Sequence, residues 1–155
     1  MGSTMMLSLL SLTLVFATSY AINKYEKCEG VPMVAVINKV DLSPCDAFPC
    51  QLKKGTNTTI TVDFTLNKSE MAKTATTVVH GILKGLPVPF STDYTDACKT
   101  AGLKCPLMQS SENVYTAKLY IQKVYPDINV YVKWELQDQD GKDLFCFEIP
   151  VTIVG

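Results

Sequence analysis

Thr59-Ile60-Thr61-Val62-Asp63-Phe64-Thr65-Leu66 alternates without a break: Ile60, Val62, Phe64 and Leu66 on one face, Thr59, Thr61, Asp63 and Thr65 on the other. A period of two, rich in β-branched residues, predicts a strand with one face in a core and one in water. The pattern returns at Ile128, Val130, Val132, Trp134 and Leu136, with Asn129, Tyr131, Lys133 and Glu135 between them. Asp140-Gly141 then marks a hairpin, followed by Phe145, Phe147, Ile149, Val151 and Ile153. Cys146 falls on the opposite face of this last strand, where it can reach the N-terminal segment. Further strands fit 33–40, 51–54, 76–83 and 115–123, and one helical turn fits 93–99. About seven short antiparallel strands and no amphipathic helix predict an all-β, immunoglobulin-like sandwich.

The six cysteines add a framework. Cys45 and Cys50 are close in sequence, as are Cys98 and Cys105, so each pair can close a small loop; Cys28 and Cys146 remain to clasp the two ends of the chain. Closing so long a loop removes unfolded-state entropy worth nominally ~4–5 kcal/mol. Neither close pair has the spacing of a structural zinc site, and the only histidine is His80, so no metal is expected.

Residues 5–16 are almost uninterruptedly apolar, and Ser19-Tyr20-Ala21 offers small residues at a cleavage site. A signal peptide over 1–21 and one domain over 22–155 are therefore expected. Export gives meaning to two N-glycosylation sequons, Asn57-Thr58-Thr59 and Asn67-Lys68-Ser69, of which Asn67, near a strand end, is expected in the more exposed loop.

The formal net charge is −1 and all 14 basic residues are lysine. Bidentate arginine reading of phosphate or guanine is absent, which argues against a nucleic-acid partner. Enzymatic readings fail on inventory: the sole histidine lies in Val78-Val79-His80-Gly81, the cysteines are committed to bridges, and Asp138, Asp140 and Asp143 cluster on a hairpin tip. No phosphate-cradling glycine loop follows a strand, and no cofactor is implied.

Leu86-Pro87-Val88-Pro89-Phe90 is the unusual stretch. Two prolines remove two ladder donors and fix two φ angles, so the segment is expected to be rigid and irregular rather than a strand. It either plugs the core or lines a cavity between the sheets, and periodicity alone favours plugging.

Val79-His80-Gly81-Ile82-Leu83 and Gly85-Leu86-Pro87-Val88-Pro89-Phe90, together with Ser43-Pro44-Cys45, Pro49-Cys50-Gln51-Leu52, Trp134-Glu135-Leu136-Gln137-Asp138 and 144–151, closely resemble the Niemann-Pick type C sterol-transfer branch of the ML lipid-recognition family. The match runs in order from about Lys27 to Val154. The resemblance implies an apolar pocket between the sheets, bridges 28–146, 45–50 and 98–105, and one bound sterol with its hydroxyl at the mouth. Carried over by position, it implies a pocket lined by Val88, Phe90, Ile121, Tyr125, Trp134 and Phe147, with Phe90 and Tyr125 at the entrance. It further implies a rim of His80, Gly81, Ile82, Lys84, Leu86, Asp96 and Lys99 offered to acidic lipid membranes and to a membrane-protein acceptor. Phe147 departs from the tryptophan usual in the family, Tyr120 from a proline and Lys84 from a methionine. The expected function is a secreted or lysosomal sterol carrier, monomeric because its core is self-contained. The alternative is an extracellular or innate-immune accessory module presenting another lipid such as a fatty acid, glycolipid or semiochemical.

Overall fold

The computed structural model describes residues 25–155; the expected signal peptide over 1–21 lies outside the described residues. Nine strands and one helical turn follow in the order β1 (Glu26–Lys27), β2 (Ala35–Ser43), β3 (Cys50–Lys53), β4 (Asn57–Leu66), β5 (Thr76–Leu83), β6 (Leu86–Pro89), α1 (Ala97–Thr100), β7 (Glu112–Tyr120), β8 (Ile128–Gln137) and β9 (Asp143–Val154). They form two stacked sheets. The larger runs β1-β9-β8-β5-β6, with β3 also on β9; the smaller is β2-β4-β7. The sandwich is thus as the alternation predicts, with two short strands, β1 and β6, beyond the expected seven. Among the pairings of named strands one is not antiparallel: β3 lies parallel to β9, Cys50 opposite Val151.

β6 corrects the expectation of an irregular segment. It pairs antiparallel with β5, Val88 opposite Gly81 and Leu83 opposite Leu86. The physical reason is its place at the sheet edge. Pro87 and Pro89 occupy the positions whose missing N–H would point to solvent, while Phe90 N–H donates inward to Val79 O at 2.9 Å. Edge strands tolerate proline on that side.

The core grows from the predicted faces. Ile60, Val62, Phe64 and Leu66 are all essentially inaccessible, and Thr59, Thr61, Asp63 and Thr65 are half-exposed. Phe64, Phe145, Tyr115 and Trp134 form a chain of edge-to-face rings, with centroids 5.2 to 6.3 Å apart, that fills one end of the sandwich. Such contacts add ~0.5–1.5 kcal/mol each beyond area burial. At the hairpin between β8 and β9, Gly141 takes a φ of +73° and Asp138 N–H donates to Lys142 O. The Asp138 carboxylate accepts from the amides of Asp140 and Lys142 and so closes the turn, while Asp143 begins β9.

All three bridges form as 28–146, 45–50 and 98–105. Cys146 does point away from Phe145 and Phe147. Cys28, one residue past β1, continues that pairing beside β9, its N–H donating to Cys146 O at 3.2 Å, so the bridge ties the N-terminal segment to the edge of β9 within the sheet.

Candidate functional site

Residues directly opposite one another in an antiparallel sheet share a face, so the inner wall of the larger sheet can be read as rows. Val79, Trp134 and Phe147 form one row, which Phe90 extends through its bond to Val79. Val88, Gly81, Val132 and Ile149 form the next. Between these rows and the smaller sheet lies a cavity. Val132, Trp134, Phe147, Ile149 and Val151 line it from the larger sheet, Leu42, Thr58, Ile60 and Leu119 from the smaller, and Leu52 from β3. The surface it presents is wholly apolar. Nothing there could hold a metal ion or act as acid or base, and among the described residues no cluster of metal-ligating side chains occurs.

The cavity is narrow, about 10 Å³, roughly the room one water needs and far below the ~300–1,000 Å³ of ordinary ligand sites. A larger hollow of about 600 Å³ lies on the outer face of the same sheet, but Glu26, Glu29, Lys133 and Glu148 on its walls leave it open and charged. The enclosed seam is the better candidate because it offers an unbroken apolar lining.

Of the six residues expected at the pocket, Trp134 and Phe147 are in its wall. Phe90 and Tyr125 meet at its flank, rings 5.2 Å apart and tilted by 57°. Both are half-buried against the core but outside the cavity lining, and burial pushes the Tyr125 phenol above its ordinary range. Ile121 is fully buried just after β7, its N–H donating to Thr56 O, and is not in the cavity lining either. Val88 is also outside the lining and 44% exposed. Its row is inward, but the smaller sheet has only three strands and leaves β6 uncovered along its length.

Behind the wall, the Tyr115 hydroxyl accepts from Trp134 Nε1 at 3.2 Å and shares a hydrogen with Thr77 Oγ1 at 2.9 Å. Burial pushes the phenol up to about 12, so it stays neutral. This node fixes the indole plane that faces the cavity.

The expected rim divides between faces. Lys84, with a φ of +50°, and the exposed Leu86 sit at the β5–β6 hairpin. Asp96 and Lys99 pair at 2.9 Å on the turn of α1. Gly81 turns inward, its α-carbon facing Val130. His80 and Ile82 alternate with it and so face the outer side, where His80 Nδ1 lies 3.6 Å from Glu135 Oε2 and Lys133 Nζ is 3.0 Å from the other carboxylate oxygen. The sequons are also reversed: Asn57 is exposed at the start of β4, and Asn67 is half-buried in the turn after it.

Thr58, Leu52 and Leu42 were not expected at the site. Thr58 continues the inward alternation of β4 one step beyond Ile60, a signal present in the sequence. Leu52 and Leu42 reach the seam only through the pairing of β3 with β9 and of β2 with β4, which no local pattern encodes.

The sequence pattern of the ML domain matches residues 23–153. The chain is 40% identical over 132 residues to the NPC intracellular cholesterol transporter 2 of Danio rerio, covering 85% of each chain. It is 44% identical over 117 residues to the NPC intracellular cholesterol transporter 2 homolog a of Drosophila melanogaster, covering 74% of this chain and 78% of that one. The crystal structure of a Niemann-Pick type C2 protein from Japanese carpenter ant superposes with a TM-score of 0.76 at 25% identity, covering 84% of this chain and 98% of that one.

Proposed function

The chain belongs to the ML domain family, and on that footing we propose that it is a sterol carrier that takes one cholesterol-like molecule into the seam between its sheets and hands it on without making or breaking a covalent bond. The observation that carries this reading is the enclosed apolar seam between the sheets, walled by Val132, Trp134, Phe147, Ile149 and Val151 on one side and Leu42, Ile60 and Leu119 on the other. Burying ligand surface supplies ~25 cal/mol per Å², offset by the ligand's lost freedom.

A cavity of about 10 Å³ cannot hold a sterol as it stands, so entry must part the sheets. The part that yields with least loss is where packing is thinnest: β6 is exposed along its length, and Phe90 and Tyr125 are only half-buried against the core. Each angstrom of opening costs contacts within the protein, and the ligand returns them. The occupied and empty states are then close in free energy, which is what a carrier that must also release its cargo requires. The carrier is secreted or works in the lysosomal lumen, collecting from or delivering to acidic membranes and a membrane-protein acceptor through the Lys84–Leu86 hairpin at the other end of β6 from Phe90. It works as a monomer, since its core is closed by its own two sheets.

The test is to extract the purified protein with organic solvent for mass spectrometry, then offer the delipidated protein a fluorescent sterol, a fatty acid and a glycolipid. Saturable sterol binding and acceleration of sterol transfer between vesicles are expected. Preference for the fatty acid or glycolipid, with no transfer activity, would replace the carrier by a lipid-presenting module.

A further inference from the structure

We infer that Asn57 carries an N-linked glycan whose first N-acetylglucosamine rests on the ring of Tyr120. The two sequon asparagines are not equivalent. Asn57 is exposed at the first position of β4, whereas Asn67 is half-buried in a turn whose backbone is tied to Val34. Within Asn57-Thr58-Thr59 the strand sends Thr58 inward, 2% exposed, and Asn57 and Thr59 outward. A sugar at Asn57 therefore leaves from the face of the smaller sheet opposite the cavity.

Tyr120 is the cross-strand partner of Asn57 on β7. Side chains of opposed residues leave the same face with Cβ atoms about 4.5–5.5 Å apart, a separation that a pyranose ring can bridge. Tyr120 is 49% exposed although it is aromatic and lies in a strand, and among the described residues no other ring contacts it. The face of an aromatic ring is electron-rich and accepts the weakly positive C–H groups along one side of N-acetylglucosamine. β7 is also an edge strand, and edges left open invite pairing with other chains; a glycan over Tyr120 covers the end of that edge. Six cysteines that are all paired place folding in an oxidising compartment, the setting in which asparagine is glycosylated.

The test uses the full chain exported from a eukaryotic host with Asn67→Gln, so that Asn57 is the one remaining sequon. Intact mass should show a glycan, lost in Asn57→Gln. Melting temperatures are then compared for the glycoprotein, for the form trimmed by an endoglycosidase to a single N-acetylglucosamine, and for the form released by an amidase, which leaves aspartate and is matched by Asn57→Asp. The trimmed form should melt with the glycoprotein, and the released form a few degrees lower. In Tyr120→Ala that difference should vanish. Absence of a glycan at Asn57 overturns the inference. So does equal melting of trimmed and released forms, or a difference that survives in Tyr120→Ala.

Discussion

The rings of Phe90 and Tyr125 lie 5.2 Å apart, joining the residue that ends the β6 edge to the connection between β7 and β8. Neither is in the regular core of either sheet, and each is half-buried. The pair thus links the edge of the larger sheet, which β6 forms, to the chain that leaves β7 of the smaller one.

Truncating this pair should therefore damage binding more than folding. An aromatic-to-alanine change in a filled core costs ~3–5 kcal/mol, but these rings forfeit fewer contacts. Phe90→Ala and Tyr125→Ala should keep a cooperative thermal transition within a few degrees of the parent while weakening fluorescent-sterol affinity at least about tenfold, which is ~1.4 kcal/mol. Variants that unfold, yet retain affinity in the fraction that stays native, would make the pair core and remove the site.

Tyr115→Phe should cost ~1–3 kcal/mol, because it leaves Trp134 Nε1 and Thr77 Oγ1 buried without their shared partner. The indole would also lose its tether beside the cavity. Urea unfolding reports the first effect, and tryptophan fluorescence, which comes from Trp134 alone, the second. An unchanged midpoint would mean that the node contributes nothing to the fold.

The phase of β4 is open to a paired measurement. Phe64 is inaccessible and stacks edge-on against Phe145, so Phe64→Ala should cost ~3–5 kcal/mol. Asp63 lies outward on the same strand, so Asp63→Ala should be nearly neutral. The reverse order in thermal unfolding would contradict the register.

Strands whose faces differ in chemistry were legible in the sequence. β4, β8 and β9 each carry a period of two long enough to fix which side is buried, and Cys146 fell on the correct face for that reason. β6 was not legible, because its prolines argue against a strand everywhere except at an edge, and whether a segment is an edge is decided by its neighbours. The site was legible to the same degree. Trp134 and Phe147 belong to strongly patterned strands and do line the cavity. Val88, Phe90, Ile121 and Tyr125 are outside its lining for reasons of sheet width and stacking, which depend on how many strands pair on each side. Leu52 enters through a parallel pairing with β9 between segments far apart in the chain. His80 and Gly81, adjacent in sequence, were expected on one rim, but the pleat sends them to opposite faces.

Loss of the clasp should be the most costly single change at the cysteines. Replacing Cys28 and Cys146 by alanine opens a loop with a sequence separation of 118 and releases the β1 segment from the edge of β9. A cost of about 2–5 kcal/mol is expected, read as a lowered urea midpoint. Non-reducing peptide mapping of the parent should recover the 28–146 pair, and any other partner for Cys28 would overturn the framework.

Asp143 makes the fold sensitive to acid in an unusual direction. Its Oδ1 is buried without a hydrogen-bond partner, and desolvation, with Glu135 adding negative charge nearby, raises its pKa above 3.8. Raising the pKa of a carboxyl in the folded state means that the fold disfavours the charged form. The penalty is absent below the unfolded value, where the group is protonated in both states, and grows as pH rises through the folded value. This one group therefore lowers stability as pH climbs from about 4 through its raised folded value, above which the penalty is complete. Asp143→Asn keeps the shape and removes the charge. It should raise the melting temperature at pH 7 relative to the parent and bring the two together near pH 3.5, below the unfolded value. Melting curves across that range would decide it: a variant no more stable than the parent at neutral pH would show that the Asp143 carboxylate is solvated where the structure places it in the protein.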